Sequence, residues 1–203
     1  MSKTITRLFD DYSDAKTAIA ELERIGIPHS DLSIVANNTH GDHDVGDLND
    51  DGDVSRGAST GAVLGGVGGL LAGLGLLAIP GLGPLVAAGW LASTAAGAAI
   101  GGAGGAATGG LVGALKNAGH SEDDADVYSE GVRRGGTLVS AKVAEDMVGP
   151  AEAALDGNRG VSASTRGADY RGAGWNGFDD KAPAYTIDQI EADRSSYTRG
   201  PII

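Results

Sequence analysis

Residues 57–115 contain no Asp, Glu, Lys, Arg or His. Within that stretch glycine recurs at every fourth position in two ladders. The first is Gly57, Gly61, Gly65, Gly69 and Gly73; the second is Gly97, Gly101, Gly105, Gly109 and Gly113. Between them lies Ile79-Pro80-Gly81-Leu82-Gly83-Pro84, which has the composition of a turn. The pattern predicts a hairpin of two apolar helices over residues 57–115, stripped of side chains along one stripe so that backbones approach closely. It points to assembly or to membrane contact.

A glycine inside a helix costs about 1 kcal/mol relative to alanine, so the ladders together cost on the order of 10 kcal/mol. Close backbone approach, with dispersion and weak Cα–H···O contacts, is the available compensation. Each four-residue step overshoots a full helical turn by about 40°, so five glycines wind about 160° around the axis. One straight neighbour meets only part of such a stripe. The second helix carries another small stripe beside the first: Ala98, Gly102, Ala106, Gly110 and Ala114. The expectation is a homo-oligomer with the ladder glycines as its assembly residues. Large apolar residues, Leu70 to Leu77 and Leu82 to Leu91, gather around the turn. Gly57 to Ile79 and Leu85 to Leu115 are each long enough to cross about 30 Å of hydrocarbon. Two settings compete, a membrane-inserted hairpin in contact with lipid and a water-soluble homo-oligomer, and the expectation is assembly at or in the cytoplasmic membrane. A flexible linker fits less well, because such linkers are polar and lack leucine clusters.

The flanks read as α+β. Thr4 to Phe9 alternates as a strand; Ala15, Ala18, Ile19, Leu22 and Ile25 form a helical stripe ended by Gly26 and Pro28; Leu32 to Ala36 is a second strand. Residues 1–36 are therefore a first βαβ unit, followed by an acidic loop over 37–56. After the hairpin, residues 116–165 read as a helix opened by Ser121 and a second β-α-β unit. Its parts are a strand over Thr137 to Val143, a short helix from Pro150 to Leu155 and a weak last strand over Val161 to Thr165. The arrangement suggests a ferredoxin-like domain interrupted by the glycine-zipper hairpin. Residues 166–203 read as a largely disordered tail with a short helix over Thr186 to Arg194, carrying Ile187 and Ile190, and with Trp175, Phe178 and Tyr185 as candidate anchors for a protein partner.

The chain offers little for catalysis. It has no Cys, which excludes disulfides, thiol nucleophiles and cysteine–zinc sites. A formal net charge of −12 with 15 Lys+Arg argues against nucleic-acid binding. The N-terminus lacks an apolar signal region, so the chain is expected in the cytoplasm or on the cytoplasmic side of the inner membrane. Asp47, Asn49, Asp51 and Gly52 match the front of an EF-hand loop, but Ala58 stands where the bidentate acid belongs. That leaves Asp47, Asn49 and Asp51 as a weak metal candidate beside a solvated acidic loop. His40 and His43 lie in the same polar stretch and read as loop residues. No nucleophile–base pattern or nucleotide loop stands out, and no cofactor is implied. The expectation is a non-enzymatic protein.

The order of parts resembles the bacterial general stress protein and low-temperature-induced protein family, whose N-terminal unit is the heat-induced stress-protein domain. The residues that carry the likeness are Phe9-Asp-Asp-Tyr-Ser-Asp-Ala15, Leu22-Glu-Arg-Ile-Gly26-Ile-Pro28 and Asp31-Leu-Ser-Ile-Val35, then the ladders. The most specific string is Tyr128-Ser-Glu130-Gly131-Val-Arg133-Arg-Gly135-Gly-Thr-Leu-Val139. The resemblance covers about residues 1 to 165 and implies a stress-linked, non-enzymatic role without transferable catalytic or binding residues. A binding module for a small ligand or divalent cation, soluble and oligomeric, is the alternative expectation.

Overall fold

A computed structural model describes residues 2–41, 75–79, 82–94 and 110–198. The protein is a mixed α+β structure built on one antiparallel sheet. The strands are β1 (Ser2–Phe9), β2 (Leu32–Asn37), β3 (Gly75–Ile79), β4 (Gly83–Gly89) and β5 (Thr137–Ala144), in the order β1-β5-β2-β4-β3. The helices are α1 (Tyr12–Arg24), α2 (Gly110–Asn117), α3 (Glu122–Arg133), α4 (Val148–Gly157), α5 (Ala163–Gly172) and α6 (Ile187–Thr198).

β5 lies between β1 and β2 and runs antiparallel to both, with Ile5 opposite Ala141 and Ile34 opposite Val139. The register follows from burial on both sides of the sheet. On one face Ile5, Phe9, Ile34, Val139 and Val143 pack under α1 and α4, with Ala18, Ile19, Leu22 and Leu155 filling the layer. On the other face Leu8, Val35 and Leu138 pack under α2, α3 and α5, with Leu115, Val127, Val132 and Tyr170. Every residue of β2 is buried, which is why Leu32-Ser-Ile-Val-Ala-Asn37 reads as a continuous run and not as an alternation. The polar members are satisfied internally. Ser33 Oγ donates to the Ala88 carbonyl at 2.8 Å, and Asn37 Nδ2 donates to the Val132 carbonyl at 3.0 Å. Asn37, expected to open the acidic loop, instead closes the strand inside the core.

The flanking elements expected from the sequence are present over 2–37 and 121–157. Ser121 caps α3 by accepting the Asp124 backbone N–H at 3.1 Å.

Three expectations are corrected. Residues 75–79 and 83–89, expected as the helical tips of the hairpin, are strands: β4 pairs with β2 and β3 pairs with β4. Pro80 and Gly81 lie outside the described residues, and the elements on either side of them are strands. Two continuous spans over 57–79 and 85–115 are therefore not formed, and no helix among the described residues is long and apolar enough to cross a membrane. The physical reason is the exposed edge of β2, which β4 satisfies through backbone hydrogen bonds that override a helical spacing. Gly89 permits this junction: its φ is +86°, and a Cβ there would collide with the Leu32 carbonyl.

Second, the last strand over 161–165 reduces to one antiparallel bridge between Val161 and Leu8, because Ser162 caps α5 and the chain turns helical. Third, residues 166–203 are not a disordered tail over the described part. α5 crosses the boundary at 166, Tyr170 and Ile190 are buried, and Trp175 and Phe178 pack on the core.

Candidate functional site

The motif Tyr128–Val139 spans the end of α3 and the start of β5, and each of its unusual residues has a structural task. Tyr128 lies across the sheet: its hydroxyl donates to the Thr6 carbonyl at 2.7 Å and accepts the Ala163 N–H at 3.1 Å. Burial pushes the Tyr128 hydroxyl pKa up to about 12. Gly131 leaves room for Leu8, because a Cβ there would come within 2.8 Å of Leu8 Cδ1 and closer still to Cδ2. Gly135 and Gly136 end the helix, and the Gly136 N–H returns to the Gly131 carbonyl at 2.9 Å.

Between these glycines lies a buried charge cluster. Glu130 is fully buried, with Oε1 accepting from Arg134 Nε at 2.7 Å. Its Oε2 sits 2.6 Å from Arg133 Nη2, a charge contact misaligned for a hydrogen bond. Arg134 also reaches Asp193 on α6, with Nη1 to Oδ1 at 2.7 Å, and its guanidinium lies 4.3 Å from the Tyr170 ring centroid. Burial works against the Arg134 charge, but Glu130 and Asp193 outweigh it and raise the pKa. Arg133 lies over the rings of Phe178 and Tyr185 at 5.5 and 5.3 Å. A second buried arginine, Arg166, meets both carboxylate oxygens of Asp10 at 2.8 Å.

The C-terminal segment covers this cluster. Ile190 is fully buried, and a Cβ at Gly135 would come within 2.5 Å of its Cγ2, so the glycine forms the notch that receives it. Arg194 donates to the Gly135 carbonyl at 3.0 Å. Ala184 packs at Gly83, the first residue of β4. The aromatic residues expected to anchor a partner thus anchor the segment to its own body.

A separate polar row runs through the sheet. Thr6 Oγ1 lies 2.8 Å from His120 Nε2 and 2.9 Å from Ser140 Oγ. The His120 ring meets Tyr128 edge-on at 5.7 Å, and burial lowers its pKa against a smaller opposing effect of Asp124.

Of the ladder glycines only Gly113 is described. It lies in α2, where Leu111, Ala114 and Leu115 are buried, and a Cβ on Gly113 would meet nothing within 4 Å. Gly57, Gly61, Gly65, Gly69, Gly73, Gly97, Gly101, Gly105 and Gly109 lie outside the described residues, as do Asp47, Asn49, Asp51 and His43. Among the described residues no group of three or more His, Asp and Glu is placed to hold a metal ion. The Glu130–Arg133–Arg134 cluster was missed as a site, although the sequence carries its signal. An acid followed by two basic residues at i+3 and i+4 on a helix is an ion-pair pattern, and the flanking glycines mark close packing.

No family model matches the chain, and no curated protein or solved structure matches it.

Proposed function

We propose that the chain is a non-enzymatic stress-response protein that self-assembles through its glycine-rich segment. One observation carries the reading: the segment is bracketed at both ends by elements fixed in the body. β3 and β4 belong to the sheet, and Leu111, Ala114 and Leu115 of α2 share a core with Leu82, Leu85 and Leu91. The described chain on either side of each ladder stretch, residues 41 and 75 and residues 94 and 110, belongs to this one body, so ladder contacts between copies would join folded domains. Among the described residues β3 is also the last strand in the sheet order, and an edge strand is a template for pairing with another chain.

The body supports a ferredoxin-like reading of the flanks. β1-α1-β2 and β5-α4-Val161 interleave, with β5 between β1 and β2 and Val161 bridging the far side of β1. α2, α3 and α5 then cover the sheet face that such a domain would leave open. The stress assignment rests on the resemblance of residues 9–35 and 128–139. The proposed location is the cytoplasm. Insertion of two spans is not part of the reading, because residues 75–79 and 83–89 are used by the sheet.

Analytical ultracentrifugation of the full chain tests this. The wild type should sediment as an oligomer at micromolar concentration, and Gly69→Leu and Gly105→Leu should reduce the particle while leaving the far-UV circular dichroism unchanged. A monomeric wild type, or unchanged particle size in both variants, sinks the assembly reading. Flotation with lipid vesicles reads membrane attachment separately; a protein that floats in all conditions contradicts the cytoplasmic placement.

A further inference from the structure

The contact between the C-terminal segment and the body has two unequal parts. The helical part is complementary. Ile190 fills the notch over Gly135, Asp193 pairs with Arg134, and Arg194 donates to the Gly135 carbonyl. The connecting part fits less well. Trp175 Nε1 and Arg133 Nε are buried there without a hydrogen-bond acceptor, a penalty that exposure to water would remove. α6 is also not held as an ordinary amphipathic helix: Ile190 is buried, while Ile187 on the preceding turn is 41% exposed. Within α6 the grip is thus one apolar anchor plus charge-assisted bonds, with Tyr185 stacked beside Arg133 and Arg134 just ahead of it, on a helix that follows residues 173–186, which form no helix or strand beyond the end of α5's last turn. The connecting residues 173–183 reach about 36 Å when extended at about 3.3 Å per residue, far enough to span to a neighbouring molecule.

We propose that residues 184–198 are an exchangeable latch, whose Ile190 and Asp193 dock on the Gly135–Arg134 ledge of their own chain or on the same ledge of a second copy. The chemistry that recognises the segment in cis is available unchanged in trans, since the ledge reads an isoleucine and a carboxylate three residues apart on one helix face. Release frees the two orphaned donors and offers a free ledge and a free latch on each molecule. The inference deepens the self-assembly reading by giving copies a second, polar contact. It is independent of the glycine ladders, so the two fail separately.

A fluorescein-labelled synthetic peptide of residues 184–198 is titrated into full-length protein and followed by anisotropy. Ile190→Asp in the full chain removes the anchor from the latch and leaves the ledge intact. The peptide should bind this variant saturably and bind wild type at least about ten-fold more weakly, because the cis latch competes. Peptides carrying Ile190→Ala or Asp193→Asn should each bind the released protein at least about ten-fold more weakly than the parent. A circular dichroism melt confirms that the released protein is folded; if Ile190→Asp is not, Asp193→Lys in the full chain takes its place. No binding to the released protein, equal binding to wild type and released protein, or undiminished binding of the Asp193→Asn peptide overturns the proposal.

Discussion

Replacing Glu130 by Gln tests the buried charge cluster most directly. The carboxylate is fully enclosed, with Arg134 Nε at 2.7 Å and Arg133 Nη2 at 2.6 Å. The arginine side chains are themselves only 12% and 8% exposed, so water cannot replace the lost charge. Removing one partner of a buried pair costs about 3–5 kcal/mol, because the remaining charge is left uncompensated. Two features moderate that figure. Gln keeps one acceptor oxygen, and Arg134 keeps Asp193 and the Tyr170 ring. The expected loss is therefore about 2–4 kcal/mol. With a urea m-value of about 1–3 kcal/mol per molar, the unfolding midpoint falls by about 0.7–4 M. Tryptophan fluorescence reads the transition, and both proteins are compared at equal concentration so that assembly does not bias the midpoint. A double-mutant cycle with Arg134→Gln isolates the pair, and the Glu130→Gln loss should shrink by more than about 0.5 kcal/mol in that background. A single-variant loss below about 0.5 kcal/mol, or a loss unaffected by Arg134→Gln, refutes the cluster as an energetic unit.

The remaining expectations concern packing and pH. Gly131→Ala should destabilise the fold by about 1–3 kcal/mol in urea unfolding, because the new Cβ meets Leu8, which is fully buried and also confined by Gly136. Gly113→Ala should do the opposite: with nothing within 4 Å of its Cβ, alanine gains helix propensity and raises stability by roughly 0.5–1 kcal/mol in the same assay. Burial lowers the pKa of His120, so the folded chain binds its proton less readily than the unfolded chain. Its contribution is present in full above the unfolded value of about 6.5 and is lost as pH falls through the lower folded value. Melting temperature should therefore drop below about pH 6.5, and His120→Gln should flatten that limb of the profile.

Much of the fold is legible along the chain where local signals agree with one another. Ala15, Ala18, Ile19 and Leu22 mark α1 by helical spacing, Gly26 and Pro28 end it, and Ser121 with Asp124 marks the start of α3. Residues 75–89 mislead because leucine richness and a Pro-Gly turn signal, set between two glycine ladders, fit a helical hairpin and a strand hairpin alike. Short apolar runs bounded by glycine and proline, such as Gly83-Pro-Leu-Val-Ala-Ala-Gly89, carry a strand signal, but only the unpaired edge of β2 decides between the two. The segment after 166 misleads for another reason. Its composition is polar and glycine-rich, yet a few residues far apart in sequence, Tyr170, Phe178 and Ile190, find prepared partners at Arg134, Arg133 and Gly135.

Composition and local pattern by themselves determine that this chain has an α+β body, an uncharged glycine-rich insertion and no cysteine chemistry. They also place the helix caps, because these depend on neighbours in sequence. Tertiary structure alone decides that residues 75–79 and 83–89 are paired strands, that Glu130 is enclosed by Arg133 and Arg134, and that the C-terminal helix seats Ile190 over Gly135. Those outcomes depend on contacts between residues widely separated along the chain, where strand edges and buried charges must be satisfied by whatever the fold brings near them.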